Sequence, residues 1–555
     1  MGDNGERVLY AGAGMAVAAL LALVWLTGGL ASLLFGGGWT GVDLAETIGV
    51  VLRWPAHAND PRGAWPAPER ANLPGPTGIY AVLGILVAGA VSVALVGVRV
   101  LADMEITTPW RSRGKPPAAS WARRRDLAPL RISEPQPGRI TLGRQGRTLL
   151  AAEERQSVIA FGPTQTHKTS GLVIPALLEW EGPVLCTSIK SDVLAPTLAR
   201  REQLGEVWVF DPAQTTNTDR SRATPLHGVE DWRGALRVAH WLASAARAGA
   251  GDLRDGDFWF ANAEKLLAPL LLAARRRHGT MNTVVAWLDE GPEACGAAVA
   301  PVLAEAGEET AARAFTATQN REERQRSSVY TTAETIVASF ADPKVAEETA
   351  GSDYTPEGLL AGSNTLYLIG PRTEQERLRI VFCTLIQELV SLIEVRSTAK
   401  GGPIDPPILL LLDELANIAP VPGIDELAAT GAGMGMQLVS ICQDLAQLQA
   451  RLGRRADTTV NNHRVKIACR AISDNATLNY LTQLIGSGEF EQRSVSTSSG
   501  EHGHRSQTEG DTYRELAPAH FLRQIEPEGA LMVCGSLPPA RIGLRPWYLE
   551  VGRGE

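Results

Sequence analysis

Apolar positions fall into three patterns along this chain. Two long runs near its start, Val8–Phe35 ("VLYAGAGMAVAALLALVWLTGGLASLLF") and Gly78–Val98 ("GIYAVLGILVAGAVSVALVGV"), contain no charged residue. Each is long enough for the ~20 residues a bilayer core requires, which predicts two transmembrane helices. From about Ile140 the pattern changes to short, nearly continuous apolar runs: "SVIAFG", "PVLCTSI", "EVWVFD", and later "SNTLYLIG", "PPILLLLDE", "MQLVSICQ" and "RVKIACR". Such runs, alternating with helical stretches, predict an α/β fold with a mostly parallel sheet covered on both faces. Between Pro225 and Asp353 the strand signals fade. Segments such as "FWFANAEKLLAPLLLAARRR" place apolar residues at helical spacing, which predicts an inserted all-α domain over 226–353. The polar stretch Ser494–Arg514 is expected to be a mobile surface loop.

Charge refines the picture at the membrane. Arg99, Arg111, Arg113, Lys115, Arg123, Arg124 and Arg125 follow the second run, whereas the loop over 36–77 holds only Arg53, Arg62 and Arg70 as Lys or Arg. The positive-inside tendency then puts both termini in the cytoplasm and the loop outside, in a cell membrane protein with an anchor over 1–101. A cleaved signal peptide is the rival for the first run; Asp3, Glu6 and the run's length oppose it. The Arg/Pro-rich segment 102–139 reads as a cytoplasmic linker able to touch anionic membrane lipids. The formal charge of −8 excludes a uniformly basic nucleic-acid coat, though not a local basic channel. Six scattered cysteines without a C-x-x-C pair read as buried free thiols.

The candidate chemistry begins at "GPTQTHKTS": Gly162, Pro163, Thr164, Gln165, Thr166, His167, Lys168, Thr169 and Ser170. The stretch matches the phosphate-binding loop G-x-x-x-x-G-K-[ST] everywhere except at His167. A strand precedes it and a helix follows, so backbone N–H groups and the helix start can face phosphate. Lys168 is positioned for the β- and γ-phosphates of ATP, and the Thr169 hydroxyl for Mg²⁺. Far downstream, "ILLLLDE" ends a strand in two carboxylates. Asp413 is the candidate for the Mg²⁺ shell, and Glu414 for orienting and deprotonating the attacking water. Gln443 ends another strand, where a γ-phosphate sensor belongs.

These motifs, with the two-run N-terminus, "LLLLDELANIAPVPGIDEL", "GMGMQLVSICQDLAQLQARLG", "NNHRVKIACRAISDNATLNYLTQLIG" and "LMVCGSLPPARIGLRPWY", occur in an order that resembles the TraG/TraD coupling proteins of conjugation and type IV secretion. The resemblance spans essentially the whole chain. It implies a RecA-like P-loop NTPase domain over 140–225 and 354–555, interrupted by the all-α domain and assembled as a homo-hexamer. It also implies recruitment of a relaxase–DNA complex or a secreted protein substrate, and its ATP-driven delivery to type IV secretion channel subunits. By matching position, Lys168, Glu414 and Gln443 are catalytic, and Thr169 and Asp413 hold the metal. Two alternatives stay open: a docking platform without hydrolysis, and a double-stranded DNA translocase of the FtsK type.

This sequence departs from the family pattern twice. His167 replaces the loop glycine, at a cost that depends on its backbone φ. Ala432 stands near the place of an arginine that acts on a neighbour's ATP, which leaves Arg372, Arg464 and Arg470 as replacements.

Overall fold

The computed structural model describes residues 3–35, 38–43, 45–103, 118–189, 191–248, 256–418, 421–497 and 505–551. Two compact units divide the chain, Met1–Pro116 and Pro117–Glu555.

In the first unit, the two uncharged runs lie within long helices, Asp3–Leu34 and Pro76–Asp103. A small core of Val24, Ala31, Val50, Trp65, Leu73, Ile79 and Val82 joins them to the intervening short helices. Their close approach depends on glycine: a Cβ on Gly28 would lie 2.7 Å from the Trp65 indole nitrogen. Outward, Leu20, Leu33, Ile85, Val87 and Val91 are exposed. Among the described residues no helix is long and apolar enough to cross a membrane. The side chains of 3–17 and 93–103 lie outside that description.

The second unit is built on one twelve-stranded sheet. Its strands are β1 (Arg131–Ile132), β2 (Thr141–Gln145), β3 (Thr148–Ala151), β4 (Val158–Phe161), β5 (Val184–Ser188), β6 (Val207–Phe210), β7 (Thr365–Ile369), β8 (Ile408–Leu412), β9 (Met436–Cys442), β10 (Val465–Cys469), β13 (Gly529–Cys534) and β14 (Ala540–Gly543); β11 (Ser487–Thr497) and β12 (Arg505–Glu515) pair separately. The order is β1-β3-β2-β14-β13-β10-β4-β9-β8-β5-β7-β6. From β10 to β6 every pairing is parallel, and the five strands before β10 extend the sheet antiparallel.

The seven apolar runs of the sequence are the seven parallel strands. Six of them are buried at every position, because helices cover both faces. Alternate residues serve opposite faces. Phe161, Leu185, Leu368, Leu410 and Leu412 join one core, while Ala160, Cys186, Tyr367, Leu409 and Leu411 join the other.

Between β6 and β7 the described residues form helices without strands, including Trp232–Arg247, Gly256–Arg276 and Glu323–Val337. Their apolar faces belong to the first of those two cores, so the helical region and one sheet face share a continuous interior. All six cysteines are free and buried.

Two segments differ from the sequence reading. Residues 118–139, expected as linker, are packed: Ala119 N–H donates to Ser487 O at 3.0 Å and Ala122 N–H to Pro539 O at 2.8 Å. Trp121 and Phe521 both contact the Arg541 guanidinium, and Leu127 and Leu130 are buried. The local excess of Arg and Pro concealed these few anchoring residues. The expected loop at 494–514 instead falls largely within the β11–β12 hairpin, paired in register from Ser487↔Glu515 to Thr497↔Arg505. Backbone pairing defines this ribbon, and polar composition alone carries no signal of such pairing. His502 and His504, the two residues of that polar stretch that could in principle offer metal ligands, lie outside the described residues.

Candidate nucleotide site

Strand order brings the candidate residues together. β9 lies between β4 and β8, so the C-terminal ends of all three meet at one sheet edge. The loop after β4, Gln443 after β9 and the carboxylates after β8 therefore converge there, where open parallel sheets bind ligands.

The loop is tied to its neighbours by backbone bonds. Gly162 N–H donates to Gln443 O at 3.0 Å and Cys442 O at 3.3 Å. Glycine is required here, because a Cβ would lie 2.7 Å from both Cys469 Cβ and Thr166 Oγ1. Thr166 Oγ1 donates to Pro163 O at 2.8 Å, closing the turn. Lys168 is buried, and its Nζ donates to Gly162 O and, at 2.6 Å, to Pro163 O. Thr164 and Gln165 are exposed on the rim. The following helix opens with a π turn, Thr169–Val173, in which Ile174 N–H reaches back to Thr169 O.

His167 has φ 62°, the left-handed region that glycine adopts freely. Gln165, at φ 64°, shares that conformation, as alternating loop geometry demands when N–H groups turn inward. The histidine is therefore held at a strained angle, at a cost on the order of 1–2 kcal/mol. Its Nδ1 lies 3.2 Å from Ser170 Oγ. Glycine removes the strain but adds chain entropy, two effects of similar size. His167→Gly is accordingly expected to keep ATP affinity within about threefold of wild type, or to tighten it. Titration calorimetry checks this; a tenfold loss would mean that the imidazole itself binds phosphate.

Opposite the loop, Thr169 Oγ1 donates to Asp413 Oδ2 at 3.2 Å. Asp413 is buried, and its pKa is pushed up to about 7 by burial and by the adjacent Glu414 carboxylate, against the pull of Lys168. Its backbone is fixed by Thr187 Oγ1, which donates to Asp413 O at 3.0 Å. Such a carboxylate is costly to ionise until a cation joins it. With the Thr169 hydroxyl it offers the hard oxygen donors that suit Mg²⁺.

Glu414, at φ 58°, is a second non-glycine residue in the left-handed region. Gln443 Nε2 donates to its Oε1 and Oε2 at 3.1 and 3.2 Å. Asn417 Nδ2 donates to Oε2 at 3.3 Å, and Gln447 Nε2 donates to Asn417 Oδ1 at 3.2 Å. The carboxylate is thus oriented by amides, which hold a base in place without taking its proton.

Gly162–Ser170, Asp413, Glu414 and Gln443, the candidate nucleotide and metal residues of the sequence reading, are at this edge. Asn417 and Gln447 were not singled out, although the i+3 spacing of Asn417 from Glu414 carries a signal. The three arginines separate. Arg470 Nη2 donates to Gln165 O of its own chain's loop at 3.2 Å, and Arg372 is exposed three residues after β7. Arg464 precedes β10 and so lies at the opposite end of the sheet.

Comparison with known proteins fits this arrangement. The family described as "Type IV secretory system Conjugative DNA transfer" matches residues 110–551. The chain belongs to this family of conjugative coupling proteins. The conjugal transfer protein TraG of Escherichia coli is 25% identical, with 71% of this chain and 67% of that protein covered. VirD4 of Rhizobium rhizogenes is 24% identical, with 73% and 60% covered. Among solved structures, the unbound bacterial conjugative coupling protein TrwBdeltaN70 aligns with a TM-score of 0.56 at 15% identity, covering 78% of this chain and 95% of that one. TrwB in complex with ADP and Mg²⁺ aligns at 0.55 and 14% identity, covering 78% and 96%. At these identities the likeness establishes the shared RecA-like fold.

Proposed function

We propose that this chain is a membrane-anchored ATPase that recruits a DNA–protein complex or a protein substrate to a type IV secretion channel and drives its transfer. One observation carries the reading: Lys168, the Thr169–Asp413 bond and the Gln443–Glu414 pair converge at one sheet edge, in a member of the coupling-protein family. TrwB structures with ADP and Mg²⁺ and with a non-hydrolysable ATP analogue support the choice of ATP and Mg²⁺.

In this mechanism, Lys168 leaves the Gly162 and Pro163 carbonyls for the β- and γ-phosphates, and inward N–H groups of the loop hold the phosphate oxygens. Thr169 and Asp413 would hold Mg²⁺, which when bound would supply charge neutralisation on the phosphates. Glu414 orients a water and takes its proton, while Gln443 couples that carboxylate to the γ-phosphate position. Burial of Lys168, Asp413 and Glu414 strengthens each of these interactions.

The uncharged runs support two spans with both termini cytoplasmic, and the exposed Leu20, Leu33, Ile85 and Val91 are the side chains that would face lipid. Trp39, exposed and with its ring centroid 5.3 Å from that of Trp25, suits an interfacial position. A homo-hexamer, with channel subunits and lipids as further partners, completes the proposal. Arg372 and Arg470, at the nucleotide edge of their own chain, remain candidates for an arginine acting on a neighbour's ATP.

The test is ATP hydrolysis by the full-length chain with and without DNA. Hydrolysis stimulated several-fold by DNA, and absent in Lys168→Ala, is expected. Turnover no different from Lys168→Ala would replace the motor with a docking platform, the reading that strain at His167 favours.

A further inference from the structure

The C-terminal segment lies over the start of the helix that follows the loop, and the nucleotide chemistry described above makes no use of it. After β14 the chain passes so close to the first helical turn that a Cβ on Gly171 would lie 3.1 Å from Leu544 Cβ and 3.4 Å from Arg545 N. Arg545 is buried and pairs with Glu179, at the end of that helix, at 2.7 Å. Its Nε donates to Glu550 Oε1 at 2.8 Å, and Glu550 in turn meets Arg144 of β2 at 2.8 Å. This network fixes the short helix Trp547–Val551 against the nucleotide loop. Tyr548 then projects to the loop: its hydroxyl is 3.4 Å from His167 Nδ1, and the two ring centroids are 6.5 Å apart. The Tyr548 side chain is nonetheless 47% exposed.

A nucleotide whose phosphates fill Gly162–Thr169 must lead its nucleoside out past Ser170 and Gly171, the next residues of the helix. That exit is bordered by His167, which contacts Ser170, and by Tyr548. We propose that Tyr548, with the His167 imidazole beside it, is the face on which the base of the bound nucleotide stacks. The inference rests on the ATP-binding reading above and adds its base subsite. An aromatic face accepts any base with a π surface and gives larger purines the greater overlap. Adenine and guanine nucleotides are therefore bound alike.

Calorimetric titration of the full-length chain with ATP, GTP and inorganic tripolyphosphate, which lacks a base, tests the assignment. Tyr548→Ala is expected to weaken ATP and GTP roughly tenfold each and to leave tripolyphosphate unchanged. Tyr548→Phe, which keeps the ring and loses the hydroxyl, is expected to bind all three as wild type does. Equal weakening of ATP and tripolyphosphate in Tyr548→Ala would overturn the proposal, because the residue would then act by shaping the loop. A tenfold loss in Tyr548→Phe would overturn it as well. Wild-type ATP affinity in Tyr548→Ala, with binding lost in Lys168→Ala, would overturn this inference alone; a wild-type chain that binds no ATP would overturn both readings.

Discussion

Glu414→Gln is expected to reduce steady-state ATP hydrolysis by roughly 100-fold or more, the usual size of a general base's contribution, with ATP affinity retained. The substitution keeps the length and shape of the side chain and removes the proton acceptor. Glu414 accepts from Gln443 at 3.1 and 3.2 Å and from Asn417 at 3.3 Å. A glutamine carbonyl in the Oε2 position, which both amides reach, has two lone pairs and accepts from both. The loop is not disturbed, because Lys168 and Thr169 make their bonds to other groups: Gly162 O, Pro163 O and Asp413. Turnover and affinity should therefore separate, which marks a group acting in the transition state rather than in binding. Measuring hydrolysis by phosphate release and affinity by calorimetry on the same preparation distinguishes the cases. Activity above a third of wild type would remove Glu414 from the base role and leave Gln443 without a catalytic partner.

The legibility of this site in the sequence was uneven, for physical reasons. Phosphate binding demands a strand, a tight loop and a helix start within about twenty residues, so Gly162–Ser170 announced itself locally. The strand Ile408–Leu412 was equally plain, because a buried isoleucine and four buried leucines end abruptly at two carboxylates. Their convergence rests on β9 lying between β4 and β8, a strand order that the apolar runs by themselves do not reveal. What stayed hidden depended on contacts between distant parts of the chain. Tyr548 reaches His167 across 381 positions, and Arg470 reaches Gln165 across 305. Both residues lie in recognisable segments, but nothing local in sequence announces the contact that either one makes. The φ of His167 was hidden for another reason: the residue type contradicts the angle, and the surrounding bonds of the loop decide it. The antiparallel strands β13 and β14 resembled any closing apolar segment until β10 gave them a partner.

Arg201→Ala is expected to destabilise the second unit by about 3 kcal/mol, although Arg201 lies outside the nucleotide site. Its side chain is fully buried in the helix Leu194–Leu204. Nε donates to Thr365 Oγ1 at 2.7 Å, Nη1 to Trp180 O, and Nη2 to Gly182 O at 2.9 Å and Ser363 O at 3.0 Å. Gly182 and Ser363 lie just before β5 and β7, so one guanidinium ties the N-terminal ends of two parallel strands to the turn after the loop helix. Burial lowers its pKa to about 10, which leaves it charged at neutral pH, held by carbonyl and hydroxyl dipoles. Truncation to alanine strands three backbone carbonyls without donors and opens a cavity of side-chain size. Lysine keeps the charge but replaces the planar fork with three donors on a single point, so Arg201→Lys should recover only part of the loss. Urea unfolding followed by tryptophan fluorescence checks the order wild type, then lysine, then alanine. Trp180, whose carbonyl is one of the acceptors, is itself a reporter of this junction. A loss below about 1 kcal/mol in Arg201→Ala would mean that water enters and satisfies the carbonyls, so that the guanidinium is replaceable as a staple. Because the parallel strands carry Lys168, Asp413 and Gln443 on their far ends, the folded fraction of Arg201→Ala should still bind ATP with wild-type affinity. That separates the stability of the sheet from the chemistry at its edge.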